Sequence, residues 1–429
     1  MFKQYFKQAL QMLKENRLTS VISILGTALS ISMILVVVLQ FQINLVGFRP
    51  ESNRDRMLYI LGIRADSRDD KNRNSTNMSD GVVKECLYPL QTPEAVTAIA
   101  RNNAIVSLPD RQLFKEYVIK YTDPGFWKVF DFRFISGKPF TDADFSSGLP
   151  RVVIANTLAR ELFGSEDPIG KDVLIGYVPH TVTGVVEDPT RAAYSAYADV
   201  WAPYTSNANY VNGMSCGGVC GSFQGIILAR SASDFESIRT EIKQAVSRYN
   251  AAGREFVLGM NFVFSRLDLA LGSNDMNGGI RKGWKEYLTK TAPLLLFLLL
   301  VPTLNLTGVV QSSVQKRRSE MGLRKAFGAT KGRLLVQVLC ENLIITLIGG
   351  LIGIVLSGIL LQLGKSFLLT KDTVVTFEML FKPVLFAAAL FFTLLLNLLS
   401  AGLPAIRISR EQIVEALNNK KIQYNDQTY

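Results

Sequence analysis

QKRRSEMGLRKAFGATKGR, residues 315–333, is short, strongly basic and set between two long apolar runs. It carries seven basic residues (Lys316, Arg317, Arg318, Arg324, Lys325, Lys331, Arg333) against one acid, Glu320. Short loops this basic beside membrane spans stay in the cytoplasm. Leu323, Ala326 and Phe327 share a face by i, i+3, i+4 spacing, and Glu320 lies four residues before Arg324, the better order for a helical ion pair. Gly328 stands where a left-handed C-cap would end the helix. The pattern predicts a short helix across the inner membrane surface, apolar on one side and charged on the other. On spacing alone, the simpler account is a basic anchor that sets topology and binds anionic lipid.

Working outward, four runs are long enough for the ~20 apolar residues of a bilayer crossing: Leu18–Val46, Thr291–Val310, Leu334–Leu363 and Pro383–Leu403. The fold class expected is a membrane protein of four transmembrane α-helices, with a large α+β extracytoplasmic domain inserted between spans 1 and 2. The first run is too long for the apolar core of a cleaved signal peptide and no small-residue cleavage site follows it, so it should remain as an anchor.

The chain has 429 residues, 48% hydrophobic, with a net charge of +11. That charge is not a nucleic-acid footprint, because it is unevenly placed. Residues 49–286 hold 28 basic and 28 acidic side chains, and the excess lies beside the spans. Residues 1–17 carry four basic residues and one acidic. The positive-inside rule then puts the N-terminus, the central loop and the C-terminus in the cytoplasm and the large domain outside.

In chain order, residues 1–17 read as a cytoplasmic amphipathic helix, 18–46 as span 1, 49–286 as the outer α+β domain and 291–310 as span 2. Then come the basic helix and loop at 315–333, span 3 at 334–363, span 4 at 383–403 and a cytoplasmic tail at 404–429. Within the outer domain, 66–80 is charged and Asn/Ser-rich and reads as a loop, and 93–101 reads as helical. Strands are expected at 115–121, 151–154, 173–176, 181–186, 225–229 and 261–266. Asn156 is the expected cap of a helix ended by Gly164. Ser233 with Glu236 reads as a capping box for a helix to about residue 249. Gly349, Gly353 and Ser357 repeat every four residues in span 3, a small-residue face for tight helix packing.

Chemistry is sparse. The nearest approach to a nucleotide-binding loop, Gly358 to Ser366, has five residues between its glycines where the motif has four, so no ATPase is expected in this sequence, nor any catalytic residue. His180 is the single histidine and reads as a solvated surface residue, and no metal site is expected. Cys216 and Cys220 lie in a Gly-rich loop outside the cytoplasm, where a local disulfide and two separate thiols both remain open. No span carries a row of charges.

Several of these stretches together resemble the MacB/FtsX/LolC-type permeases of ABC transporters. Arg318 to Ala329, RSEMGLRKAFGA, resembles that family's cytoplasmic signature, followed by Glu341 and the Gly349–Gly350 pair. Pro404 to Ser409 with Glu415-Ala416-Leu417 resembles its C-terminal signature, although the proline usual before that tripeptide is missing. Residues 126–130, 137–141, 152–171 and 182–188 look like its MacB-like extracytoplasmic core domain. The resemblance implies that 315–333 is a coupling helix docking on a separate cytoplasmic ATPase, with ATP and Mg bound by that partner and no cofactor in this chain. It would use Glu320, Met321, Gly322, Leu323, Arg324, Lys325, Ala326, Phe327 and Gly328, the apolar ones filling a groove and the charged ones at its rim. It further implies a dimer of permeases in a bacterial inner membrane, an adaptor or lipoprotein as a further periplasmic partner, and mechanotransmission for export or extraction of a lipoprotein, peptide or antimicrobial. The alternatives are a membrane-anchored receptor or regulator of a periplasmic hydrolase, and a channel; a tail without an output domain and few polar residues in the spans disfavour them.

Overall fold

A computed structural model describes residues 17–69, 73–109, 115–212, 215–270 and 330–363, with the single residues Thr289, Pro293, Phe327 and Phe391. The chain divides into two units. One is Gln42–Tyr287 with Asp372–Val374, and the other is Met1–Phe41 with Leu288–Lys371 and Val375–Tyr429.

Helix α1, Arg17–Leu45, is a single run of 29 residues. Its Leu/Ile/Val-rich sequence has no proline to interrupt the backbone ladder. The outer unit then alternates short strands with short helices. Strands β1 (Met57–Ile60), β2 (Ile63–Ser67) and β3 (Arg73–Met78) come first. A helical turn and a π-turn over residues 80–87 lead to β4 (Ala95–Ser107) and β5 (Lys115–Thr122). Next are β6 (Phe134–Gly137), β7 (Arg151–Ala155), helix α2 (Asn156–Phe163), β8 (Asp172–Ile175), β9 (Val178–Val186) and β10 (Val200–Pro203). The unit ends with β11 (Cys220–Gly221), β12 (Gln224–Leu228), helix α3 (Phe235–Ala251), β13 (Phe256–Gly259) and β14 (Val263–Ser265). Helix α4, Lys331–Leu363, follows with 33 residues.

The strands form a ten-stranded sheet, ordered β14-β1-β12-β4-β5-β10-β7-β9-β6 with β8 bonded to both β4 and β9, and a four-stranded sheet ordered β11-β3-β2-β13. Because β8 bridges β9 back to β4, the pairings β4-β5-β10-β7-β9-β8 close into a ring. Strands β1, β7, β10 and β12 of the large sheet are buried on both faces, and their side chains sort onto the two faces with period two. Leu58 and Ile60 of β1, Ile227 of β12 and Val152 and Ile154 of β7 enter one core. Met57, Tyr59, Ile226, Leu228 and Val153 enter a second core around Trp201 and Phe126. Strands covered on both sides read as unbroken apolar runs rather than alternating ones.

Two glycines in the sequence signatures are set by this packing. Gly137 has φ +68°, and a Cβ there would lie 2.2 Å from the Thr183 carbonyl oxygen. Gly184, its register partner across β6–β9, would put a Cβ 2.7 Å from the Lys138 carbonyl oxygen. Only residues without a side chain allow this approach.

Several local expectations are corrected. Residues 95–101 are strand, not helix: Ala-rich as the stretch is, β12 and β5 pair it on both edges, and tertiary pairing overrides propensity. The charged stretch from 66 is not simply a loop, since Ile63 and Thr76, then Asp66 and Arg73, pair in a β2–β3 hairpin. Asn156 does not cap α2; Asp188 does so from β9's end, accepting from Thr157 N and Thr157 Oγ1 at 2.8 Å each. The capping box belongs to Ser231 and Asp234, two residues earlier than expected, so α3 is preceded by a 3-10 turn. His180 is 3% exposed rather than solvated, because β9 turns its ring inward. The expected span 2, span 4, amphipathic helix at 1–17 and tail lie outside the described residues, apart from Arg17 and isolated positions.

Candidate functional site

The two long helices and the turn that follows α1 hold the features most pertinent to function. In α3 the ordinary rule holds: Ile238, Ile242, Ala245 and Tyr249 are buried on one stripe while charged residues face water. In α1 and α4 the exposed stripe is apolar as well. On α1, Val21, Leu25, Leu29 and Met33 are exposed at four-residue spacing, whereas Ser20, Thr27, Ala28 and Ser32 are buried together with Ile31 and Leu35. On α4, Leu343, Leu347, Leu351, Val355 and Ile359 form the exposed stripe, whereas Thr346 and Ser357 are buried together with Ile344. Two of the inward hydroxyls are satisfied within their own helices: Ser32 Oγ donates to Leu29 O and Ser357 Oγ to Ile354 O, each at 2.7 Å.

The small residues explain the buried side. A Cβ on Gly349 would sit 2.9 Å from Thr27 Cβ, and one on Gly353 would sit 2.9 Å from Ala28 O and 3.0 Å from Ile31 Cβ. The α1 and α4 backbones therefore approach too closely for any larger residue at these two positions. Ser357 is buried on the same face. Counting only residues whose side chains are described, no helix is long and apolar enough to cross a membrane. The bounds of α1 and α4 themselves each exceed the ~20 residues that a crossing needs.

Of the expected coupling residues, Phe327 is described: it lies in a turn and is 85% exposed. Glu320, Met321, Gly322, Leu323, Arg324, Lys325, Ala326 and Gly328 lie outside the described residues. Cys216 and Cys220 are disulfide-bonded, with Cα atoms 5.4 Å apart. Cys86 is a buried free thiol, pushed up to about 12 by burial first and by Glu85 second. It is inert rather than reactive at neutral pH. The His180 ring bonds Val178 O through Nδ1 at 2.9 Å and its burial lowers its basicity. Among the described residues no cluster of His, Cys, Asp or Glu could hold a metal ion.

The turn after α1 contains side chains that sequence reasoning missed. Glu51 and Arg54 are both fully buried and paired, Arg54 Nε to Glu51 Oε2 at 2.6 Å. Arg54 Nη1 donates to Val46 O at 3.3 Å and Nη2 to Ala192 O at 2.6 Å, and the guanidinium lies 4.0 Å over the Phe48 ring. Glu51 Oε1 accepts from Ser195 N at 2.9 Å and Ala196 N at 3.1 Å. Lys120, in β5 and 1% exposed, donates from Nζ to Tyr194 O at 2.7 Å and also to Ser195 O. Burial lowers the Lys120 ammonium to about 7. A second buried group, Asp123, accepts from Tyr88 Oη at 2.9 Å, Thr97 Oγ1 at 3.1 Å and Ala98 N at 2.7 Å. Burial raises it to about 6 against those hydrogen bonds.

Residues 20–245 match the MacB-like periplasmic core domain, and residues 294–413 match the FtsX-like permease C-terminal domain. The chain belongs to the MacB/FtsX-type ABC transporter permeases. The first match makes the outer unit this family's large extracytoplasmic domain. The permease YknZ of Bacillus subtilis strain 168, described as uncharacterized, is 25% identical over 295 residues, 68% of each chain. The macrolide export ATP-binding/permease protein MacB of Shewanella sp. strain W3-18-1 is 24% identical over 434 residues. That alignment takes in 97% of this chain and 60% of the Shewanella protein. The crystal structure of the periplasmic region of MacB from Actinobacillus actinomycetemcomitans aligns with 53% of this chain and 96% of its own, at 16% identity and a TM-score of 0.38.

In this MacB/FtsX-type chain, Glu51 and Arg54 were hidden in ESNRDR, residues 51–56, a run of polar residues that reads as an exposed linker. Their spacing of three is a weak sign of pairing, and nothing local marks the partner loop at 192–196.

Proposed function

We propose that this chain is the permease subunit of an ABC transporter, passing conformational change from a separate cytoplasmic ATPase to its extracytoplasmic domain. The observation that carries the reading is the apolar outer stripe of α1 and α4, with most of their small and hydroxyl residues turned inward. Leucine, isoleucine and valine stripes turned outward, with hydroxyls and glycines turned inward, suit hydrocarbon and not water as the surrounding solvent. Exposing such stripes to water would cost roughly 1.5–3 kcal/mol per large side chain relative to burial. On this reading α1 and α4 are two of four spans in a bacterial inner membrane, with both termini cytoplasmic.

The basic stretch 315–333 then faces the cytoplasm and docks on the ATPase. Leu323, Ala326 and Phe327 enter its groove, with Glu320, Arg324 and Lys325 at the rim. ATP and Mg are held by that partner. The permease acts as a pair, with a second copy or a related chain, and a periplasmic adaptor or lipoprotein is a further partner. The work done is export or extraction of a lipoprotein, peptide or antimicrobial compound. The test is to tag the chain, extract it from its native membrane in mild detergent and identify what travels with it. A stoichiometric ATPase with a nucleotide-binding loop is the expected result. Its absence under conditions that preserve such complexes would overturn the reading.

A further inference from the structure

Helix α1 runs without a break to Leu45, and the chain then makes a tight turn before entering β1. A polar linker of this kind would ordinarily be a flexible tether. Here it is locked. A Cβ on Gly47 would lie 2.2 Å from Ser52 O, so the turn is closed to the point of backbone contact. Arg49 Nε and Ser52 Oγ both donate to Asp131 Oδ2 at 3.1 Å, and Asp131 N donates to Pro50 O at 2.8 Å. Arg54 reaches back to Val46 O, at the exit of α1, and across to Ala192 O. Glu51 holds the next part of the same loop through Ser195 N and Ala196 N.

That loop is in turn fixed to the sheet. Lys120 of β5 donates to Tyr194 O and Ser195 O, Trp201 Nε1 of β10 donates to Ala196 O at 3.1 Å, and Asp199 Oδ2 accepts from Val118 N of β5 at 2.8 Å. Strand β5 lies in the interior of the large sheet, between β4 and β10.

We propose that Glu51 and Arg54 form the joint that carries displacement of α1 into the 192–196 loop and, through Lys120, into strand β5. This rests on the transporter reading above and assigns its transmission step to residues. A static neck would be held as well or better by apolar packing, because burying two charges carries a desolvation cost that their attraction barely repays. What the ion pair adds is direction: the planar guanidinium fixes three separate backbone and side-chain acceptors at set angles. The helix exit, the turn and the loop must then shift together.

The experiment uses the full chain in lipid nanodiscs with the ATPase that co-purifies with it, and reads hydrogen–deuterium exchange with and without ATP plus vanadate. In the wild type, trapping the nucleotide should change exchange in both 46–56 and 190–197. In Arg54→Lys, which keeps the charge opposite Glu51 but cannot span all three acceptors, the change should persist in 46–56 and vanish from 190–197. Gly47→Ala, which forces the turn open, should do the same. ATP turnover, measured alongside, reports that the complex is assembled. The assignment is overturned if 190–197 still responds in both variants, or if it is silent in the wild type while 46–56 responds. It is also overturned if Arg54→Lys deprotects the whole sheet, since Arg54 would then be a core residue and no joint. If no ATPase co-purifies with the wild type, the transporter reading fails before any exchange is measured, and the joint fails with it.

Discussion

Lys120 and Asp123 lie three residues apart at the end of β5, and burial moves each toward its neutral form. Lys120 falls from 10.5 to about 7, so the native state holds fewer protons than the unfolded chain between those values. Its contribution to stability is full above 10.5 and is lost as pH falls through about 7. Asp123 rises from 3.8 to about 6, so its contribution is full below 3.8 and is lost as pH rises through about 6. The expected stability profile therefore falls from pH 4 to 6 and climbs above 7 on account of these two groups. Thermal unfolding of the detergent-solubilised protein across that range checks it. Lys120→Met should flatten the upper limb and Asp123→Asn the lower one. Asp123→Asn should also cost about 1–3 kcal/mol, because the amide oxygen can replace Oδ2 toward Tyr88, Thr97 and Ala98, but the amide nitrogen left in the place of Oδ1 cannot accept from the Gly125 N–H. If both variants keep both slopes, other groups set the profile.

At the scale of elements, α1 and α4 make the sharpest forecast. Gly353→Ile must push against Ala28 O and Ile31, neither of which can retreat without moving the α1 backbone. Overpacking of this kind costs typically about 1–3 kcal/mol. A lowered melting temperature in detergent is expected, with Gly349→Leu giving the same sign through Thr27. Leu351→Ala, on the exposed stripe, should change little. A Gly353→Ile protein as stable as the wild type would mean that the two helices do not pack through this face. The four-residue repeat of small side chains was legible in the sequence, as were the strands at 115–121 and 151–154. Strand β4 was not, because AVTAIARNN has helix-compatible composition, and only β12 and β5, far along the chain, make it a strand. The caps went astray for a related reason. Asp188 reaches Thr157 across 31 positions of sequence, and no local pattern reports such a donor–acceptor pair.

For the whole molecule, the decisive variants lie in the basic stretch. Phe327→Asp or Leu323→Asp should abolish ATPase co-purification while leaving the protein inserted and folded. Buried apolar anchors of an interface are worth about 2 kcal/mol or more each, roughly a 30-fold loss of affinity. Retention of the ATPase at wild-type level would show that this stretch is an anchor for lipid headgroups only.

The sequence by itself determined the family and set the expectation of four membrane spans. Those follow from runs of composition and from signatures such as RSEMGLRKAFGA and GKPF, which are local properties of the chain. It also marked which two cysteines stand near enough to bond. The tertiary structure decided what depends on distant partners. It paired Glu51 with Arg54 inside the protein, laid both against the loop at 192–196, and buried Lys120, Asp123 and His180. A charged side chain reads as solvated unless the groups that bury and satisfy it can be seen, and here those groups lie up to 145 residues away.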